Sequence, residues 1–408
     1  MSMVNEVVAV LVSFSFIPIL TRKRIKFNHI LLIVAAILAL SSGISYKAFG
    51  QAVLNVFSNT SSITTILTVL MVGILGGLMK HYKILDVVVD TLMELINDSK
   101  KILMIIPAIM GLLVIPGGAL LSAPFVNNIG EDIKLSPARR AAINLVFRHI
   151  AMFILPYSTS LLIVTAEMPN LNIFKLIGMN LLFLLFLVNL GYYFFIRDIK
   201  VEDTPKDKDV WKSLLNILLY TSPIYVPIVI YAITGWPFYI TLIASVFMVY
   251  LLGDKKDFAK RTLKSINWNI VLTVVIIFII KEIILNMEGL LGIFNNMLNV
   301  NNSMLFIMLV FFISSFFFGY ITGNQTAALA IILPMLSQLN AGGNLLYLYV
   351  FITFIASFFG YFFSPLHLCQ VFTLEYMRVN TAELYREYKF YLPSLFVAAL
   401  ISFLIFGF

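Results

Sequence analysis

Four short interruptions in otherwise apolar runs hold the polar groups best placed for chemistry. The first is PGGALLSAP, Pro116 to Pro124, and the second is TGNQTA, Thr322 to Ala327. The other two, PYSTS (Pro156–Ser160) and SPLHLCQ (Ser364–Gln370), each set a proline inside a long apolar run. Bare amides and carbonyls are costly in hydrocarbon, so a helix broken at membrane depth has to face protein or a wet cavity. Glycine permits a tight turn and opens the backbone to a ligand. Ser122 adds a hydroxyl to the first interruption; Asn324, Gln325 and Thr326 add amides and a hydroxyl to the second. Such oxygens suit a hard ion such as sodium. Helix halves ending there aim N-terminal ends at an anion and carbonyl ends at a cation.

Ionisable residues within membrane segments are candidates of a second kind. Arg148 and His149 precede Pro156 by about two turns in the same apolar run. Arg148 can pair with an anionic substrate or snorkel to the surface, and both readings stay open. His367 lies in the SPLHLCQ interruption, placed to donate to a substrate or to titrate. Lys281 and Glu282 are expected to snorkel from an outer helix end, and Cys369, the sole cysteine, to pack. No deep pair of acidic residues suggests an aspartate-centred proton pump or an intramembrane aspartyl protease. H-E-x-x-H, P-loop and G-x-S-x-G motifs do not occur in the sequence, so no enzyme is expected.

The elements that must position these groups follow from composition. Of 408 residues, 61% are hydrophobic and 12% charged, against about a quarter charged in soluble domains. Lipid must therefore solvate most of the chain. Ten segments reach or approach the length of a membrane span: Met3–Leu20, Asn28–Ser45, Ser62–Met79, Pro137–Thr165, Asn172–Ile196, Ser213–Ile233, Phe238–Leu252, Trp268–Leu285, Leu345–Glu375 and Tyr391–Phe408. The first begins with Asn5 and Glu6 rather than a basic stretch, unlike a cleaved signal peptide. Ile102–Val126 and Ser303–Leu336 are apolar but interrupted near their middles. If each enters and leaves on one side, 24 of the 28 Lys and Arg residues fall on the inner face. This topology puts both termini outside, in the inner (plasma) membrane. It also accounts for the net charge of +8 without a nucleic-acid partner.

The expected fold is all-α and polytopic, made of two inverted repeats of five transmembrane helices. Each repeat has a re-entrant hairpin and a broken helix. The N-terminal repeat covers residues 1–200, with its hairpin at about 101–127 and its broken helix at about 137–166. A linker at 201–212 leads to the C-terminal repeat, 213–408, with a hairpin at about 303–337 and a broken helix at about 345–376. Pro18 and Pro227 are 209 residues apart, as are Pro156 and Pro365. Asp86, Asp90, Glu94 and Asn97 recur at helical spacing opposite Val88, Val89, Leu92, Leu95 and Ile96, which predicts a surface helix before the first hairpin. Glu288–Asn299 is its less charged counterpart.

These two hairpin and broken-helix units resemble the ion transporter superfamily, which includes the divalent anion:sodium symporters. Within it, the chain most resembles an uncharacterised prokaryotic branch, over nearly its whole length. The resemblance implies a homodimer, with a fixed scaffold and a transport domain sliding as an elevator. It implies substrate contacts from Ser122, Ser158, Thr159, Asn324, Gln325, Thr326 and His367, to which Arg148 is added as an anion partner. It likewise implies a sodium ion held near Gly117, Gly118, Ser122, Gly323, Asn324 and Ser364. The symporters carry Ser-Asn-Thr at both hairpin tips. Here the second tip keeps Asn324 with a displaced Thr326, and the first reads PGGALLS.

The leading expectation is a Na+- or H+-coupled transporter of a small organic anion. A cation/proton antiporter using His367 and a non-transporting scaffold or receptor are the alternatives. No cofactor beyond the coupling ion is expected.

Overall fold

The computed structural model describes residues 3–23, 25–96, 98–112, 118–200, 210–292, 296, 303–339 and 341–407. These residues are mainly helical, with no strand among them. Eight helices are long and apolar enough to cross a membrane: Asn5–Arg22, Thr60–His81, Pro137–Glu167, Ile173–Phe195, Val210–Thr234, Trp268–Leu285, Met304–Thr322 and Gly343–Met377. Seven of them lie on predicted spans, so the protein is a multi-pass membrane protein. The remaining predicted spans are shorter helices, Phe27–Ser41, Phe238–Leu252 and Tyr391–Gly407.

Met304–Thr322 departs from expectation. Read as the first arm of a hairpin, it has 19 residues. At about 1.5 Å per residue that is close to the ~30 Å hydrocarbon thickness. Its partner Gln325–Ser337, with 13 residues, is too short to cross. The other predicted hairpin consists of Ser99–Gly111 and Ala119–Asp132, of 13 and 14 residues, packed together. Residues 113–117, including the predicted ligand Gly117, lie outside the described residues, as do Asn97 and 201–209 of the linker.

Local chemistry sets several helix ends. Asn59 ends helix Tyr46–Ser58, and its side chain accepts from Ser62 N (3.0 Å) to start Thr60–His81. Ser136 caps Pro137–Arg148, with Pro137 at the first position where its missing N–H costs nothing. Helix Tyr46–Ser58 itself was not expected from sequence; Ala52 and Val56 are its buried residues. The predicted amphipathic helix forms over Ile84–Leu95, burying Val88, Val89 and Leu92 and exposing Asp90 and Glu94.

Two groups of helices result. Phe27–Ser41, Thr60–His81, Val210–Thr234, Phe238–Leu252 and Trp268–Leu285 pack against one another. The two pairs that contain a helix too short to cross (the short-helix pairs, Ser99–Gly111 with Ala119–Asp132 and Met304–Thr322 with Gln325–Ser337), the two broken helices, Ile173–Phe195 and Tyr391–Gly407 form the second group. Within it Met304–Thr322 and Gly343–Phe363 cross most closely. A Cβ on Gly319 would meet Ser357 O, and one on Gly360 would meet Phe316 O. Only glycine allows the backbones to approach this far.

Candidate functional site

The breaks in the two long helices lie against the short-helix pairs. Gly343–Phe363 stops at Ser364, whose hydroxyl donates to Tyr320 O (2.6 Å) and accepts from Leu366 N (3.2 Å). Gly323, at φ +58°, turns the neighbouring pair directly against this break. A Cβ there would lie 2.8 Å from the carbonyl carbon of Leu366. Asn324 caps Gln325–Ser337, accepting from Ala327 N (3.0 Å). A cavity of about 30 Å³ beside Thr322, Gly323, Asn324 and Leu366 has room for about one water.

Gln325 and Thr326 face the other broken helix. Ser160 donates to Gln325 Oε1 (2.9 Å), Gln325 Nε2 donates to Phe354 O (3.0 Å), and Thr326 Oγ1 donates to Thr159 Oγ1 (3.1 Å). Two helix N-termini, at Thr159 and Gln325, thus meet inside the protein. Ser158, just before the first, gives no side-chain cap and reaches only Met152 O (3.4 Å).

Ser122 belongs to a separate network. Its hydroxyl donates to Asn144 Oδ1 (2.6 Å), and Asn144 Nδ2 donates to Thr373 Oγ1 (3.0 Å). Ala119–Asp132 is thereby tied to both broken helices. Gly118 is buried at the start of that helix. The predicted sodium ligands are therefore divided: Gly323, Asn324 and Ser364 stand at one tip, Gly118 and Ser122 at the other. The oxygens of Ser122, Asn324 and Ser364 already have protein partners, which a bound ion would have to displace.

Arg148 and His367 meet in the most polar of these clusters. Arg148 ends helix Pro137–Arg148, and His149 follows it. Gly111 lacks the Cβ that would overlap Arg148 O, so the first short-helix pair reaches this break. His149 Nδ1 lies against Leu145 O; since a carbonyl only accepts, Nδ1 carries a hydrogen and neutral His149 presents Nε2 as an acceptor. That Nε2 faces Tyr361 Oη at 3.2 Å and His367 Nε2 at 3.1 Å. His367 Nδ1 has no hydrogen-bond partner among the described residues.

Arg148 does not snorkel. It is 5% exposed, its guanidinium reaches Cys369, and its Nη1 has no hydrogen-bond partner among the described residues. Among the described residues no carboxylate lies within 4 Å of it. His149, His367 and Cys369 bring one ligand atom each within 4.8 Å of the others. The guanidinium beside Cys369 opposes a cation there, while it favours an anion.

Lys281 corrects a sequence expectation. It is 9% exposed, paired with Glu167 at 3.0 Å and Glu282 at 3.6 Å. Buried charges need partners, and this triad supplies them across the two helix groups. Glu167, Asn144, Tyr361 and Thr373 were not singled out from sequence. Asn144 had a usable signal, being polar in an apolar stretch and four residues before Arg148, hence on the same helix face. Thr373 and Tyr361 had none, because their partners are distant in the chain.

No curated protein matches this sequence. A family model described as a protein of unknown function (DUF401) matches residues 4–407, nearly the whole chain, and the protein belongs to that family.

Proposed function

We propose that this protein is a secondary transporter, moving a small organic anion together with Na+ or H+ by an elevator-type alternating-access mechanism. The observation that carries this reading is Arg148, a buried guanidinium beside a helix break with no carboxylate within 4 Å among the described residues. An unpaired buried charge is expensive, and a transiently bound anion is the natural compensation. The substrate contacts then include Arg148 and His367, with the interior helix starts at Thr159 and Gln325 adding positive dipole ends.

Two further features support inverted halves with re-entrant hairpins. Gly111 approaches Arg148 O, and Gly319 approaches Ser357 O. Arg148 and Ser357 are 209 residues apart, the spacing already seen for Pro156 and Pro365. The packing also crosses between halves: Thr159–Glu167 lies on Gln325–Ser337, and Leu368–Met377 lies on Ala119–Asp132. On this reading the first helix group is the scaffold and the second the moving domain. A homodimer follows from the resemblance to the ion transporter superfamily.

A thermal-stability screen of purified protein against a panel of small anions, with and without Na+, tests the reading. One anion should stabilise the protein, and more strongly with Na+ or at a changed pH if coupled. Uptake in proteoliposomes should be impaired in His367→Ala and Asn324→Ala while folding persists. Wild-type uptake in both variants would exclude this site. The facing imidazoles of His149 and His367 favour a second reading, cation/proton antiport, since two such rings can share and pass a proton. Na+-driven proton movement without added organic solute would select it.

A further inference from the structure

A second polar feature lies away from the helix breaks. A cavity of about 480 Å³ opens where Thr60–His81 ends beside helices Phe258–Lys264 and Trp268–Leu285. Its lining includes His81, Arg261, Lys264, Ser265, Asn267 and Trp268. Among the described residues none of the three basic groups has a carboxylate within 4 Å. The acids of the adjoining loop, Asp254 and Asp257, do not line the cavity.

The walls are held in place. Phe258 stacks on Tyr82 (5.8 Å between centroids) and meets Tyr250 edge-on (5.1 Å), which anchors the helix carrying Arg261 and Lys264. Gly77 permits close contact on the other side, since a Cβ there would lie 2.7 Å from Ser265 Cβ. Trp268 is 61% exposed at the first position of an apolar span, where an amphipathic ring suits the membrane–water boundary.

We propose that this cavity binds an anionic phosphate group, carried by an acidic phospholipid or by a free phosphorylated solute. Arg261 and Lys264 supply the positive charge, and the His81 ring and the Asn267 amide nitrogen offer hydrogen bonds to phosphate oxygens. The volume exceeds what inorganic phosphate alone requires. Basic recesses between membrane helices, level with the headgroups, recognise lipid phosphate in this way. None of these residues belongs to the proposed transport site, so the two readings fail independently.

The test is thermal unfolding of the purified full-length protein titrated with phosphatidylglycerol, phosphatidylcholine or glycerol phosphate. Phosphatidylglycerol should stabilise the protein and phosphatidylcholine should not. Stabilisation by glycerol phosphate as well would assign the site to free solutes. In Arg261→Gln/Lys264→Gln the half-saturating concentration should rise about thirtyfold, at about fivefold per cation. Lys264→Gln alone, at an exposed position, should give about fivefold should the double variant fold poorly. Lys255→Gln/Lys256→Gln, which changes basic residues outside the cavity, should leave the titration unaltered. Equal effects of the two lipids without a glycerol phosphate effect, or a wild-type titration in Lys264→Gln, would overturn the proposal.

Discussion

Arg148 shows how one side chain can be costly to the fold and useful to a site. Its buried Nη1 has no hydrogen-bond partner among the described residues. Arg148→Met removes the charge while keeping the apolar stem. It should match or exceed the wild type in thermal stability, because replacing an uncompensated buried charge is often neutral or stabilising. The same variant should lose any anion-dependent stabilisation, which a melting series against the anion panel measures. Lys281 should behave oppositely. Lys281→Met leaves Glu167 and Glu282 without their cation and should cost about 3 kcal/mol. Adding Glu167→Gln should recover part of that loss in chemical denaturation.

At the scale of elements, glycine decides how close the helices come. Gly319 and Gly360 bring Met304–Thr322 and Gly343–Phe363 together, and the obstacle to a side chain is backbone rather than a flexible tip. Gly360→Ala should therefore lower stability by about 1–3 kcal/mol, visible as a reduced melting temperature. A control Gly178→Ala, where nothing lies within 4 Å of the added Cβ, should be neutral or slightly stabilising. Beyond the end of the span Ile173–Phe195, Asp198 accepts from Arg139 at both carboxylate oxygens, which holds that carboxyl below its usual range. A depressed carboxyl contributes stability above about pH 4, its unfolded value, and loses it as pH falls further. Asp198 is 66% exposed at its side chain, so the contribution should stay below about 1 kcal/mol. Melting Asp198→Asn beside the wild type across pH 3–6 (about one unit per step) tests that sign.

For the whole molecule the decisive question is which way each half faces. Inverted halves would place the far ends of the two short-helix pairs on opposite sides of the membrane. In a Cys369→Ser background, Glu131→Cys and Gln338→Cys should label from opposite faces with an impermeant thiol reagent. Labelling from one common face would remove the inverted design and the transport pathway with it. Val210–Thr234 turns an apolar face outward, with Trp211, Leu214, Leu218 and Ile233 exposed. Lipid or a second copy of the chain would cover it, and the mass of the detergent-solubilised protein distinguishes these.

Much of the architecture could be read along the chain, because hydrocarbon imposes long apolar runs and proline and glycine mark where they break. Seven long spans, the amphipathic helix with Asp90 and Glu94, and the interruptions at Pro156, Gly323 and Pro365 follow from that local chemistry, while Pro116 and Gly117 of the remaining one lie outside the described residues. Arg148, His367, Gln325 and Thr326 could be singled out because polar groups are conspicuous in apolar surroundings. Their partners could not. The meeting of His149 with His367 joins residues 218 apart, and that of Ser160 with Gln325 joins residues 165 apart. The burial of Lys281 against Glu167 likewise depends on how two helix groups pack. Such pairings arise from shape complementarity between elements, as at Gly319 and Gly360, and tertiary packing alone decided them.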